Sequence, residues 1–308
     1  MRTIKDKEYA TVIGYGLGQY YEKVKEELFQ IMTLDFVCDR KWENSDKKEY
    51  DGIPLLKRGE LKNFQKAIVI VFIGSTWVYE TVKRDLDELG IESVHVDEVI
   101  GANCNLSGAM LKENYPNGAY EDKRGNKIYF DQSIPEKIRV SFQGHNNVLQ
   151  VGKNVLAGNL YIRFGNNGIC NIGNNTEIIG AEFYVSDAKI KIGQDCLFST
   201  QVILRTHDAH HIFELNTHQR INYAKDIVVE DNVWIAFRCT LLGGAKIGVG
   251  SVVGTNTVTS GHFDDHRIIA GSPGRVIKEN ICWSRDNTEY FNHNSLEECK
   301  SQEMLKYI

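Results

Sequence analysis

Four of the nine histidines in this 308-residue chain stand in one stretch, "RTHDAHHIFELNTHQRIN", residues 205–222: His207, His210, His211 and His218. Imidazole changes charge near neutrality, so a histidine can act as a general base. In its neutral form it can also bind a metal. The spacing inside the stretch does not choose between these chemistries, nor against a merely polar loop. A second pattern lies near the start. "VIGYGLGQYYEKV" carries Gly14, Gly16 and Gly18 between an apolar run and a helical one, and Asp39 ends the next apolar run. A glycine turn entering a helix suits a phosphate, and an acid one strand later suits a ribose. The pattern is G-x-G-x-G, with Gln19 where a dinucleotide fingerprint continues.

Composition narrows the partners. With 42% hydrophobic and 25% charged residues, a net charge of −5 and a pI near 6.0, the chain reads as globular. Nothing in that balance favours nucleic acid or an anionic membrane surface. The opening "MRTIKDKEYA" has no apolar core of a signal peptide, and no run approaches the ~18 apolar residues of a membrane span. The seven cysteines are scattered, with no CxxC, as expected of a reduced cytoplasmic protein.

The elements that must position these residues fall into two kinds. Over residues 1–100, apolar strands ("YATVIGYG", "TLDFVCDR", "KAIVIVFIGS", "ESVHVDEVI") alternate with helical stretches ("QYYEKVKEELFQI", "TWVYETVKRDLDELGI"), the second helix closing at Gly90. Such alternation predicts an α/β unit with a parallel sheet. Residues 101–146 read as a transition segment. From 147 to 278 the period becomes six. Val229, Ile235, Leu241, Ile247 and Val253 open successive hexads, and Val233, Cys239, Ala245, Ser251 and Thr257 hold the fifth place. Six is neither a helical nor a hairpin period. It fits short strands and tight turns stacked as a solenoid, with positions one and five facing inward. Asn154, Gly158, Asn174, Asn175, Gly180, Gly243 and Gly244 supply turn residues. Residues 205–224 interrupt the hexads, and a polar excursion from a regular scaffold is where function concentrates. Residues 279–308 form a tail.

The run "VVEDNVWIAFRCTLLGGAKIGVGSVVGTNTV…IIAGSPGRVIKEN" resembles the hexapeptide-repeat acyltransferases, most closely their sugar and capsular-polysaccharide O-acetyltransferase branch. The resemblance covers about residues 147–280. It implies a left-handed parallel β-helix of three hexads per coil, preceded by an N-terminal Rossmann-like domain of a kind found in some sugar-modifying acetyltransferases. It also implies a homotrimer with its sites between neighbouring walls and acetyl-CoA as co-substrate.

Residue roles follow from the same resemblance. His207 falls where the family has its loop-entry histidine and becomes the candidate general base. His210 is a substrate-side residue of the loop or one that orients His207, and His218 is solvated. Asp187, in "YVSDAKIKIG", matches an acid that binds an acceptor hydroxyl, although an Asp at a solenoid corner also serves as a turn residue. Trp234 in "NVWIA" matches a wall of the cleft. Ala236, Gly254 and Thr255 match backbone positions that meet coenzyme A, and Arg275 and Lys278 match cations near its phosphates. Two departures stand out. Ile179 replaces an asparagine of the galactoside-type relatives, and Gly261 replaces a lysine after the last hexad. Zinc-binding relatives such as the gamma carbonic anhydrases use wall histidines. Here only His145 is comparable, so no metal is expected. The function expected is acetyl-CoA-dependent O-acetylation of a sugar hydroxyl. The alternatives are N-acetylation of an amino-sugar nucleotide and a non-catalytic scaffold that binds a sugar nucleotide.

Overall fold

The computed structural model describes residues 2–4, 7–100, 104–286, 293–299 and 302–307. The chain divides into two compact units, 1–103 and 104–308. Among the described residues no helix is long and apolar enough to cross a membrane.

In the first unit, Thr11–Tyr15 lies in the middle of a six-stranded sheet. Phe36–Cys38 and Ile53–Leu56 follow on one side, and Ala67–Val71 and Glu92–His95 on the other. All of these are parallel; only the edge strand Glu49–Tyr50 is antiparallel. The sequence dictates this layering. Ile68, Val69, Ile70 and Val71 are all buried, because a strand covered on both faces needs an unbroken apolar run. The helix Gln19–Ile31 turns Tyr21, Val24 and Leu28 inward at helical spacing. After the helix Thr76–Asp87, Gly90 adopts φ +70° and the Ile91 amide returns to the Leu86 carbonyl at 3.0 Å, a Schellman-type stop.

The second unit is a three-sided parallel solenoid. Its first face stacks Lys127–Tyr129, Val148–Val151, Ile169–Ile172, Lys189–Ile192, Ile227–Val229, Lys246–Ile247 and His262–Phe263. Leu156–Phe164 and Glu177–Val185 run from the second face onto the third, so Glu177–Val185 pairs with Leu197–Phe198 and with Val202–Arg205. Trp234–Ile235 and Val252–Val253 continue the second face, and Thr240–Leu242 and Val258–Thr259 the third. Ile235 stands beside Val253, so eighteen residues, three hexads, complete a turn here. The five hexad-opening residues and their fifth-position partners are all buried, as their period requires. Corners take left-handed backbone. Asn154 (φ +55°), Asn175 (+56°), Asp195 (+57°), Asn232 (+53°) and His266 (+58°) form one column between the first and second faces. Of the expected turn residues, Asn154, Asn175 and Gly244 adopt positive φ. Gly158 is required instead by close approach, since a Cβ there would lie 2.6 Å from the Ile179 carbonyl.

The solenoid begins earlier than the hexads. Ile138–Phe142 pairs in parallel with Leu156–Phe164, and Cys104–Ser107 covers its outer edge, so residues read as a transition segment build the first coil. At the other end Arg275–Glu279 folds back antiparallel onto Arg267–Ala270.

Candidate active site

The histidine-bearing excursion leaves the solenoid at the corner between the third and first faces, after Val202–Arg205 and before Ile227–Val229. Thr206 is the last residue of the regular coil and is buried. Its hydroxyl accepts the Ser186 amide at 3.1 Å, and its carbonyl accepts the Lys225 amide at 3.0 Å, which closes the neck of the loop. Gly243 lies under that neck, where an added Cβ would stand 2.6 Å from the Thr206 carbonyl. Beyond the neck the excursion is a short hairpin. The Ile221 amide meets the Ile212 carbonyl at 2.9 Å, and Phe213 bridges Arg220. Asn222 pins its base, donating to the His210 carbonyl (2.7 Å) and the Asp208 carboxylate (3.0 Å) while accepting from the Ile212 amide (2.8 Å). No feature of the sequence singled out Asn222.

His207 is the first residue of the loop and is half-buried. Its Nδ1 lies 3.1 Å from the Asp208 carbonyl. A carbonyl can only accept, so Nδ1 carries a proton, and in the neutral ring Nε2 then presents a lone pair. That is the tautomer a base acting through Nε2 requires. His210 is exposed, His211 meets Phe213 edge-on with ring centroids 6.1 Å apart, and His218 sits exposed at φ +56°. The four histidines therefore point to separate tasks. Among the described residues, no group of three or more His, Cys, Asp or Glu side chains is arranged to hold a metal ion.

Asp187 occupies the same corner one coil earlier, at φ +49°. Asn167 Nδ2 donates to its Oδ1 at 2.9 Å and Ser186 Oγ to its Oδ2 at 3.2 Å. Ser186 is the residue whose amide holds Thr206, so the Asp187 corner and the His207 neck are tied directly. Asp187 is thus a turn residue whose exposed carboxylate stands beside the loop entry.

The other expected residues gather elsewhere. Trp234 faces outward from the second face with 37% of its surface exposed. Ala236 and Gly254 stack at that face's far corner, where their amides donate to Val253 and Ile269 carbonyls at 2.9 and 2.8 Å; Thr255 follows Gly254 in the same turn. Those two N–H groups are taken by the ladder. Arg275 and Lys278 lie on the exposed returning strand, opposite Ala270 and Ile268. Arg275 does not pair with Glu279, which faces Arg267 at 3.9 Å. The structure therefore brings His207 and Asp187 together, brings the expected donor-side residues together, and puts the two groups on different edges of the prism. Among the described residues no thiol is placed as a nucleophile beside His207. Burial pushes Cys196 up to about 12 and raises Cys239 as well, so both stay protonated and inert.

The first unit has a cavity of about 640 Å³ at the carboxyl ends of its parallel strands, lined by Gly16, Gly18, Tyr20, Lys23, Asp39 and Arg40 among others. Thr11–Tyr15 is flanked by strands whose connections run in opposite directions, so the cavity sits at a topological switch point. Gly16 has φ +92°. Asp39 holds this turn, accepting from the amides of Leu17 (2.5 Å) and Lys41 (2.7 Å).

No family model matches the chain. Curated relatives do. A polysialic acid O-acetyltransferase of Escherichia coli O1:K1 is 32% identical over 115 residues, 37% of this chain and 38% of that protein. One from Neisseria meningitidis is 29% identical over 197 residues, 52% of this chain and 91% of that protein. The galactoside O-acetyltransferase of Escherichia coli K12 is 31% identical over 122 residues, 37% of this chain and 58% of that protein. The solved polysialic-acid-specific acetyltransferase NeuO superposes with a TM-score of 0.44 at 29% identity, covering 50% of this chain and 81% of that one. The parallel solenoid of hexads with its ejected histidine-bearing loop agrees with the resemblance to the hexapeptide-repeat acetyltransferases that these relatives carry. This chain is a relative of the hexapeptide-repeat acetyltransferases, with polysialic acid O-acetyltransferases among its matches. It spans little more than a third of the length of the Escherichia coli polysialic acid enzyme.

Proposed function

We propose that the chain transfers an acetyl group from acetyl-CoA to a sugar hydroxyl, on a surface polysaccharide or its activated precursor. The observation that carries this reading is His207. It is held at the loop neck beside Asp187, with Nδ1 committed to a carbonyl and Nε2 open. Nε2 takes the proton of the acceptor hydroxyl as its oxygen attacks the thioester carbonyl. The tetrahedral intermediate collapses with departure of the CoA thiolate, which the imidazolium reprotonates. Asp187 orients the acceptor hydroxyl. Trp234 gives the sugar a flat wall, Ala236, Gly254 and Thr255 line the pantetheine path, and Arg275 and Lys278 meet the nucleotide phosphates. The inert core thiols agree with direct transfer rather than an acyl-enzyme.

The solenoid is read as left-handed, and its partner as two further copies of the chain. Residues 1–100 are read as a Rossmann-like domain and 279–308 as a tail, with unpaired thiols suited to the cytoplasm. A trimer gives the separated groups a common cleft, with His207 of one copy facing Trp234 and the CoA path of the next. Mixing His207→Ala with Trp234→Ala chains should then restore part of the activity each lacks alone, and sedimentation as a monomer at micromolar concentration would refute it. A second reading is favoured by the cavity at the switch point of the first unit, whose glycine turn and flanking Lys23 and Arg40 suit a nucleotide. In that reading the acceptor is nucleotide-linked, and an amine is acylated instead of a hydroxyl. The deciding experiment is thiol release from acetyl-CoA against oligosaccharides, nucleotide sugars and amino-sugar nucleotides. Release with none of them leaves only a scaffold.

A further inference from the structure

The chain after Glu279 does not trail away from the solenoid. Residues 281–285 turn back and run down the column of left-handed corners between the first and second faces. The Ile281 amide donates to the His266 carbonyl at 3.2 Å, and His266 Nδ1 donates back to the Ile281 carbonyl at 3.1 Å. The Trp283 indole N–H donates to the Asn232 carbonyl at 2.7 Å, and Arg285 reaches the Cys196 carbonyl at 2.9 Å and Glu177 at 3.3 Å. Farther along, Lys306 and Tyr307 close on buried Asp195. Cys196 and Asn232 belong to adjacent coils and His266 to the second coil beyond, so this strap crosses the coils against their direction of growth.

Trp283 is the strap's one large buried side chain among the described residues, only 7% exposed. It acts on Trp234 twice. Its N–H fixes the carbonyl of Asn232, which lies two residues before Trp234 and whose own amide is held by the Gln194 carbonyl at 2.9 Å. Its ring lies 5.9 Å from the Trp234 ring, tilted by 41°. Trp234 otherwise projects from a two-residue strand, with Leu197 and Val252 beside it on the sheet. An indole so placed has several rotamers open to it, and a packed neighbour selects one.

We propose that Trp283 is a positioning residue for sugar binding: it sets the plane of Trp234, so that the C-terminal strap, and not the solenoid alone, shapes the wall on which the acceptor stacks. The proposal rests on the reading of Trp234 as the acceptor wall of an acetyltransferase. A flat surface held in one orientation binds a sugar ring without first losing its own freedom, and a ring–ring contact is worth roughly two- to tenfold in such an equilibrium.

The test uses the full chain, with the acceptor that the panel above identifies. Trp283→Ala should raise the acceptor KM roughly two- to tenfold. It should leave the KM for acetyl-CoA and the acceptor-independent hydrolysis of acetyl-CoA unchanged. Trp283→Phe, which keeps a ring but loses the N–H, should fall between it and the parent. Tyr307→Phe loosens the strap at Asp195, one coil before Asn232, while leaving the Trp283–Trp234 ring contact, and should keep parent kinetics even if its melting temperature falls. If Trp234→Ala raises the acceptor KM and Trp283→Ala does not, the positioning role is wrong while the site stands. If an active enzyme is indifferent to Trp234→Ala, the wall itself is misassigned and the proposal falls with it. Should the alanine variant fail to fold, Trp283→Phe decides, and a parent-like acceptor KM overturns the role.

Discussion

Replacing Thr206 by valine tests whether the corner hydroxyl holds the histidine-bearing loop in place. The change keeps volume and β-branching and removes one oxygen. That oxygen is buried, accepts the Ser186 amide at 3.1 Å, and lies 3.3 Å from the carbonyls of both Tyr184 and Ser186, to one of which it donates. Valine leaves the part-buried Ser186 amide without this acceptor, and an orphaned buried polar group costs about 1–3 kcal/mol. The added methyl offsets at most about 0.8 kcal/mol of that. The expected net loss is about 1–2 kcal/mol, and at ~2–4 °C per kcal/mol in a unit of this size the melting temperature should fall by ~2–8 °C. The damage should be local first. Native-state hydrogen exchange should speed up at the Ser186 and Lys225 amides before the first-face strands respond. The turnover number should fall as well, because His207 directly follows Thr206. An unfolding free energy within about 0.5 kcal/mol of the parent, with unchanged exchange at those amides, would refute the argument that this hydroxyl ties the Asp187 corner to the loop neck.

Three further outcomes are expected. His207→Ala should lower kcat by at least ~10²-fold with CoA affinity intact, while His218→Ala should do little; steady-state kinetics with isothermal titration checks both. Arg275→Ala should raise the KM for acetyl-CoA about tenfold without lowering the melting temperature, because Glu279 pairs with Arg267 and not with Arg275. The strap should loosen in acid. Burial alone would raise the pKa of Asp195, but hydrogen bonds from Lys306 and Tyr307 outweigh it and hold the carboxylate below its usual range. The folded chain therefore binds fewer protons at this group than the unfolded chain. The stabilisation is complete above about pH 4 and disappears as pH falls through the depressed value. Tryptophan emission followed against pH should show the step, and Asp195→Asn should abolish it.

The solenoid was legible because a six-residue period is direct geometry. Every inward position must be aliphatic or small, and residues from Val229 to Thr257 obey that without exception. The first coils were not legible, because their turns are longer. Ile138 stands beside Leu160 and Leu160 beside Ala181, at separations no hexad predicts, so Cys104–Phe142 reads as irregular although it pairs regularly. The alternation of the first unit and the glycine turn at Gly16 were visible for the same reason as the hexads. They are local rules of strand, turn and helix. His207 and Asp187 were reached through their resemblance to a family. Their shared corner was not visible, since it depends on the Thr206 hydroxyl reaching back to Ser186 across a whole coil. Asn222 and Trp283 escaped the sequence altogether. An asparagine in a polar loop and a tryptophan in a tail carry no periodicity, and the Trp283 bond to Asn232 spans 51 residues.

The separation of the two residue groups bears on how such a site can work. The prism interior between them is filled by side chains such as Phe198, Leu204, Ile235 and Leu241, none of them exposed. No hydroxyl or thioester can pass through that core, and His207 cannot swing across it from a neck closed by Lys225. If the base and the donor path serve one reaction, they must do so across an outer surface, with the base of one prism set against the second face of another. That arrangement also gives the excursion its reason. An imidazole on the wall itself would face only its own coils. One carried at the base of a hairpin with exposed Phe213, Leu215 and Tyr223 is presented together with an apolar surface that a neighbouring copy can cover. The strap lies on the opposite edge of the second face, and its Trp283 backs Trp234 from within the same chain. The proposed cleft then has one side supplied by each copy: a proton acceptor held at the neck of a loop, and a wall backed by the tail.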